Sequence, residues 1–386
     1  MKFSEISIES LRGVGNVELT LDPAQRVFTL FGANGVGKTK CLEALFQYCL
    51  FFNKTFLDVT ASEALKVDSI VMEKVDDHQG RLFPRHEVMK KGYVNISSLT
   101  SGGLINPINP FLHDLPVVFL GASQRATIEK KPSSIGAIGN FPARKKASMQ
   151  TIMEALNNHQ LASLGMTGGV RAWIIARAQS VNPYQKSEDN RQVEIDALLK
   201  LLHEVDDRID QKFLQIDGSN QVFVKIEGET RELGQLSSGF TSVLKLMQAI
   251  ISGYAGFTNE VNLTHVRGIV LIDEIESHLH LEWQSKIVLL LKKMLPNTTF
   301  FIATHSPLVL TQLDEGEAYQ LKRDMTDGVV HSHRITAPNK QALIDILREG
   351  FGVDMNVLKR ERMSADSQAA AKKRLLDLLK SSGADL

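Results

Sequence analysis

Eight consecutive residues of this 386-residue chain, Gly32-Ala33-Asn34-Gly35-Val36-Gly37-Lys38-Thr39, carry its strongest chemical signal. They follow a known pattern of glycine, four residues, glycine, lysine and a hydroxyl residue, in which the glycines let main-chain N–H groups curl around phosphates. Lys38 would reach the β- and γ-phosphates of a nucleotide, and the Thr39 hydroxyl would ligate Mg²⁺. A second signal stands far along the chain. Ile269-Val270-Leu271-Ile272-Asp273-Glu274 is four apolar residues followed by two carboxylates, the pattern of a buried strand that delivers acids to a nucleotide. Asp273 would then hold the magnesium shell, and Glu274 would orient or deprotonate an attacking water. Such a strand end is a weak signal by itself; beside a phosphate loop it becomes a strong one.

The neighbouring elements have to present these residues correctly. The apolar run Val27 to Phe31 reads as a strand entering the glycine loop, and Leu42, Leu45, Phe46 and Cys49 recur as a helix leaving it. Strand, turn and helix is the order a phosphate-binding loop requires. Upstream, Phe3, Ile6 and Ile8, then Val17, Leu19 and Leu21, alternate as further β structure. Residues 53–115, with a Gly/Asn/Pro cluster at Gly102–Pro110, read as irregular. Pro116–Leu120 reads as a short buried strand leading to a basic loop, Gly121–Lys146, with Arg125, Lys130, Lys131, Arg144, Lys145 and Lys146 against only Glu129. The pattern from Ala147 to Gln211 is helical, clearest at Ile195, Leu198, Leu199, Leu202, Val205 and Ile209. A strand at Val222–Ile226, a helix from about Thr241, a strand at Gly268–Ile272, a helix over Leu281–Leu295 and a strand at Thr298–Ala303 follow. Asp327-Gly328 marks a hairpin between Tyr319–Lys322 and Val329–Ile335, and two helices, near Lys340–Arg348 and Ser367–Lys380, end the chain.

Composition excludes several classes. Lys and Arg total 44, as do Asp and Glu, so no global field draws the chain onto nucleic acid or an anionic membrane. Leu45–Phe52, the longest apolar stretch near the N-terminus, is far short of the ~20 residues that span a bilayer. With no signal-peptide pattern and two cysteines, Cys41 and Cys49, in one helix, a cytoplasmic protein is expected, with no membrane partner. His278 and His280 would suit zinc only with further ligands that the sequence does not identify.

Four segments together resemble the ABC-type ATPases: Asn34-Gly35-Val36-Gly37-Lys38, the Asp273-Glu274 pair, Leu236-Ser237-Ser238-Gly239 before a helix, and His305 after a late strand. They also occur in that family's chain order. Within it the chain resembles the non-transporter branch of RecF, SMC, Rad50 and OLD proteins, and looks closest to the AAA_21-type ATPases of anti-phage systems such as Septu and PARIS. The likeness covers 1–50 and roughly 222–335. It implies an α/β P-loop NTPase with an ABC-type ATPase head and a largely helical insert: 1–52 and 216–335 as the two parts of the head, 53–215 as the insert, and 336–386 as a helical extension. It implies ATP and Mg²⁺ as cofactors, with Gly32, Asn34, Gly35, Gly37, Lys38 and Thr39 at the phosphates, Thr39 and Asp273 at the metal, and Glu274, His305 and Lys38 catalytic.

The resemblance also implies that Ser237 and Gly239 contact the γ-phosphate held by a second protomer, so that the working unit is a dimer or larger even assembly. Ser238 and Phe240 depart from the usual Leu-Ser-Gly-Gly-Gln, and Ser237 or Ser238 could equally be a plain helix N-cap. Gln124 is a candidate for the family glutamine that reaches Mg²⁺, and Glu276–His280 for the segment near the dimer interface. Three functions follow as alternatives: a defence ATPase controlling a separately encoded effector such as a nuclease, a RecF/SMC-like DNA-clamping ATPase, or a transporter motor. The long spacing from Leu236 to Asp273 disfavours the last. Zero net charge and a single basic loop at 121–146, itself a candidate DNA contact, disfavour the second. About 80 residues follow His305 without a glutamate and Asp-x-Asp set, so an OLD-type nuclease is not expected within the chain.

Overall fold

The computed structural model describes residues 3–60, 112–129 and 135–355, with the strand segments Ala64–Val67, Glu73–Lys74 and Gly92–Asn95 and residues 357, 372–375 and 377. The Gly102–Pro110 cluster, Lys130 and Lys131, and most of the expected helix at Ser367–Lys380 lie outside the described residues.

The strands are β1 (Glu5–Leu11), β2 (Gly15–Thr20), β3 (Val27–Phe31), β4 (Ala64–Val67), β5 (Glu73–Lys74), β6 (Gly92–Asn95), β7 (Val117–Leu120), β8 (Ile209–Ile216), β9 (Val222–Ile226), β10 (Glu229–Glu232), β11 (Gly268–Ile272), β12 (Thr298–Ala303), β13 (Ala318–Arg323) and β14 (Val330–Arg334). Nine of them form one sheet in the order β5-β1-β2-β14-β13-β3-β12-β11-β7. From β13 to β7 every neighbouring pair is parallel. The C-terminal ends of these five strands therefore lie along one edge, where open α/β sheets bind ligands. The β1–β2 and β13–β14 pairs are antiparallel. A separate three-stranded sheet runs β10-β9-β8.

The parallel strands are buried on both faces, which explains why they read as continuous apolar runs. Alternate residues enter two cores: Val270 and Ile272 pack on one face, Ile269 and Leu271 on the other. The helices are α1 (Lys38–Phe51), α2 (Lys54–Thr60), α3 (Phe141–Asn157), α4 (Val170–Gln179), α5 (Gln192–Val205), α6 (Ser238–Phe257), α7 (Leu281–Gln284), α8 (Ile287–Met294), α9 (Pro307–Leu310) and α10 (Leu343–Phe351). α1 covers one face through Leu42, Leu45 and Phe46. α6 covers the other through Val243, Leu244 and Met247, backed by the Leu198, Leu199 and Leu202 stripe of α5. Cys41 and Cys49 are buried within α1, and burial pushes both thiols up to about 12. Among the described residues no helix is long and apolar enough to cross a membrane.

Several expectations need correction. β7 falls inside the expected insert 53–215, yet it pairs with β11 along its length as the last strand of the main sheet. The helical pattern does not continue to Gln211. Asp206 ends α5, its carboxylate held by Arg208, and Ile209 opens β8. The helix expected over Leu281–Leu295 is two helices, because Gln312 donates to the Gln284 carbonyl at 2.5 Å and accepts from the Val288 N–H at 2.9 Å. The basic stretch is not loop to its end: Asn140 caps α3 by accepting from the Ala143 N–H, and Pro142 suits the first turn.

Candidate functional site

The glycine loop joins β3 to α1. Gly35 (φ 77°) and Gly37 (φ 108°) are left-handed. At Gly37 a side chain is doubly excluded, since a Cβ would stand 2.6 Å from Val14 Cγ1. A Cβ on Gly32 would likewise meet the Leu321 carbonyl oxygen at 2.6 Å. Asn34 and Gly35 are exposed at the tip. Lys38 is buried with its ammonium turned into the loop, donating to the carbonyls of Gly32 and Ala33 at 3.0 Å each. Burial lowers its pKa, while Asp273, Glu276 and Glu274 oppose that fall. α1 begins with no side-chain cap and no acidic residue in its first turn. Its leading N–H groups thus form an open, partly positive end of the kind that can accept a phosphate.

β11 lies beyond β12 from β3 and delivers the acids to this loop. The Thr39 hydroxyl donates to both carboxylate oxygens of Asp273, at 3.0 and 3.1 Å. Asp273 is buried, and burial pushes its carboxyl up to about 6; the Thr39 hydrogen bond and the charge of Arg125 oppose the rise, whereas Glu274 and Glu43 add to it. A hydroxyl and a buried carboxylate in contact are a donor set that fits a hard divalent cation sharing its remaining positions with phosphate and water. Glu274 is half-buried in the left-handed region (φ 46°), and Ser277 Oγ donates to its Oε2 at 3.0 Å.

His305 lies at the end of β12, between the two. Glu276 fixes this turn, accepting from the His305 N–H at 2.6 Å and the Thr304 hydroxyl at 2.7 Å. Gln124 follows β7 next to the acid strand, in a left-handed conformation (φ 63°) with its carbonyl accepting from Lys245 of α6 at 2.7 Å. So the ends of β7, β11, β12 and β3 bring Gln124, Asp273, Glu274, His305, Lys38 and Thr39 to one edge. Ser237 and Gly239 are placed differently. Ser237 is the N-cap of α6, accepting from the Phe240 N–H at 3.2 Å. Gly239 packs against His280, whose Cδ2 would lie 2.8 Å from an added Cβ. Among the described residues no hydrogen bond joins 236–239 to the glycine loop, and no group of three or more His, Cys, Asp and Glu side chains gathers as a metal site.

The basic segment is corrected by this geometry. Arg125 is 1% exposed and faces inward. Arg144 is also buried, bonded to the Gly139 carbonyl at 2.7 Å and to Asn259 at 2.6 Å. Neither can meet a DNA phosphate, which leaves Lys145 and Lys146 as the described surface cations of the stretch. Sequence reasoning missed that Arg125 belongs beside the acids, that Glu276 orders the His305 turn, and that Lys245 holds the Gln124 loop. A lone Arg, Glu or Lys at a strand or helix end has no pattern that would have marked it.

Residues 167–311 match the model of the AAA_21 family, described as "AAA domain, putative AbiEii toxin, Type IV TA system". The match takes in Ser237–Gly239, Asp273–Glu274 and His305 and leaves the glycine loop outside. A segment of 128 residues is 31% identical to Septu protein PtuA of Bacillus thuringiensis, covering 31% of this chain and 32% of that one. Another of 89 residues is 40% identical to the Retron Ec83 probable ATPase of Escherichia coli, covering 23% and 16%. The chain spans a third or less of the length of these relatives. Among solved structures, the Smc head bound to the C-winged helix domain of ScpA is 12% identical with a TM-score of 0.46, covering 87% of this chain and 98% of that one. The expected resemblance to AAA_21-type ATPases and to Septu proteins is thus borne out.

Proposed function

We propose that this chain is an ATP-binding and ATP-hydrolysing ABC-type subunit of an anti-phage defence system, controlling a separately encoded effector such as a nuclease. The observation that carries the reading is the contact of the Thr39 hydroxyl with the buried Asp273 carboxylate, across 234 positions of sequence. It joins the phosphate loop to the acid strand in one site. The names of the relatives, a Septu protein and a retron probable ATPase, support the defence role.

In this reading Lys38 exchanges its loop carbonyls for β- and γ-phosphate oxygens, and the open end of α1 receives the phosphates. Thr39, Asp273 and Gln124 would hold Mg²⁺, which when bound supplies positive charge against the phosphate oxygens. Glu274 orients the attacking water and takes its proton, and His305 meets the γ-phosphate from the β12 end. Ser237 and Gly239 have no bond to their own glycine loop, which supports their capping a second protomer's nucleotide. A monomer would leave the γ-phosphate open to water, which screens its charge and leaves the nucleophile unpositioned.

Mixing tests the composite site. Ser237→Arg and Lys38→Ala chains, each inactive alone, should regain ATPase activity when combined, because one hybrid site pairs an intact loop with an intact Ser237 segment. Full activity in a demonstrably monomeric sample, or in Ser237→Arg alone, would remove the composite site.

A further inference from the structure

Four main-chain carbonyls meet at one buried side chain behind the acids. Arg125 Nε donates to the Gly121 carbonyl at 3.0 Å and Nη2 to that of Leu120 at 3.1 Å, both at the end of β7. Nη2 also donates to the Asp273 carbonyl at 2.5 Å and Nη1 to the Glu274 carbonyl at 2.6 Å, at the end of β11. We propose that Arg125 is a positioning residue for the acid pair, its guanidinium fixing the main chain of Glu274 in the left-handed conformation that sets the direction of its carboxylate. The assignment rests on the hydrolytic reading above for its functional consequence, and on geometry alone for its structural one.

Three facts support it. First, Arg125 is 1% exposed and makes no ion pair among the described residues, so all its bonds go to backbone. A guanidinium presents its donors in a planar fork, which lets one group span two strand ends; an ammonium is a single point that cannot. Second, Glu274 is a non-glycine residue at φ 46°, and such a conformation persists only when its surroundings over-determine it. The neighbouring bonds do part of this. The Asp273 N–H donates to the Leu120 carbonyl at 3.0 Å, the Ile275 N–H to Ala303 at 3.2 Å and the Ser277 N–H to Glu274 at 2.9 Å. Arg125 supplies the bonds that tie the Glu274 turn back to β7. Third, the buried guanidinium lies against the Asp273 and Glu274 carbonyls, where its positive charge offsets the negative charge of Asp273, Glu276 and Glu274.

The test uses Arg125→Lys and Arg125→Gln in the full chain, with two independent readouts. In steady-state hydrolysis, Arg125→Lys should lower kcat by about ten- to hundredfold, since misplacing a reacting group by about 1 Å has that order of effect. KM and the affinity for a fluorescent ATP analogue should stay within about threefold, because the glycine loop is untouched. In a crystal structure of the lysine variant, Glu274 should leave the left-handed region. Unchanged kcat, parallel loss of binding and kcat, or Glu274 retained at positive φ would each overturn the proposal. Failure of both variants to fold would assign Arg125 to the fold alone and overturn it as well. A wild-type chain with no hydrolysis would defeat the functional reading; displacement of Glu274 in the variant would still uphold the positioning role.

Discussion

The glycine loop and the acid edge meet in one site but are built by opposite means. The loop is local: within eight residues its glycines, lysine and threonine take their conformation from φ values and from the helix that follows. The acid edge is assembled. Glu274 is held by Arg125 from the turn after β7, its neighbour Ile275 by Ala303 of β12, and Glu276 ties in Thr304 and His305. A local device presents binding groups whether or not its surroundings shift, whereas an assembled one registers the relative position of three strands. Binding should therefore depend mainly on the loop, and turnover on the assembly.

The largest expected effect is on turnover. Glu274→Gln keeps the shape of the side chain and removes its capacity to take a proton, so hydrolysis should fall about 10²- to 10⁴-fold with ATP binding retained. Wild-type turnover in this variant, measured by phosphate release, would take the base role away from Glu274. Lys38→Ala acts on the other region. It deletes the buried ammonium, and ATP affinity measured by calorimetry should fall by about a hundredfold. If Lys38→Ala bound normally and Glu274→Gln did not, the division of labour between loop and edge would be reversed.

Stability offers a finer measure of the same contrast. The Asp273 carboxyl is raised from 3.8 to about 6, chiefly by burial. An acid whose folded pKa exceeds its unfolded value binds its proton more tightly when folded, so stability falls as pH rises from about 4 to about 6 and stays lower above that. At pH 7 without nucleotide the ionised group is a cost. Asp273→Asn should then stabilise the nucleotide-free chain by about 1–3 kcal/mol in denaturant unfolding while abolishing turnover. The gain should vanish below pH 4. A destabilised Asp273→Asn chain would mean that the Thr39 contact outweighs the burial of charge.

How much of this was legible in the sequence follows the same line. The glycine loop, β3, β11, β12 and the hairpin at Gly328 could be read because their determinants lie within a few residues: left-handed glycines, apolar runs and an Asp-Gly turn. The ends of elements were harder. Ile209 continues a helical period by spacing, but the Asp206–Arg208 pair stops α5 first, and α7 and α8 are separated by Gln312, from the turn after α9. Arg125 was the clearest error of kind. Its charge suggested water, and its surroundings instead supply four carbonyls at two strand ends, a placement that exists only once β7 lies against β11.

The smallest expected effect concerns what remains of the basic segment. With Arg125 and Arg144 turned inward, the described surface charge of this stretch is Lys145, half-buried with its ammonium 5.8 Å from the Phe141 ring, and the exposed Lys146. Each phosphate contact to duplex DNA steepens the salt dependence of log K by about 0.9, so two such lysines would contribute a slope of about 1.8 if both met phosphates. Two contacts are far fewer than the six to ten or so of a dedicated clamp. Lys145→Glu with Lys146→Glu should therefore leave ATP hydrolysis unchanged and alter DNA retention by less than about threefold at physiological salt, with little change in slope. A fall of tenfold or more together with a slope reduced by about 2 would show the α3 end to be a phosphate contact after all.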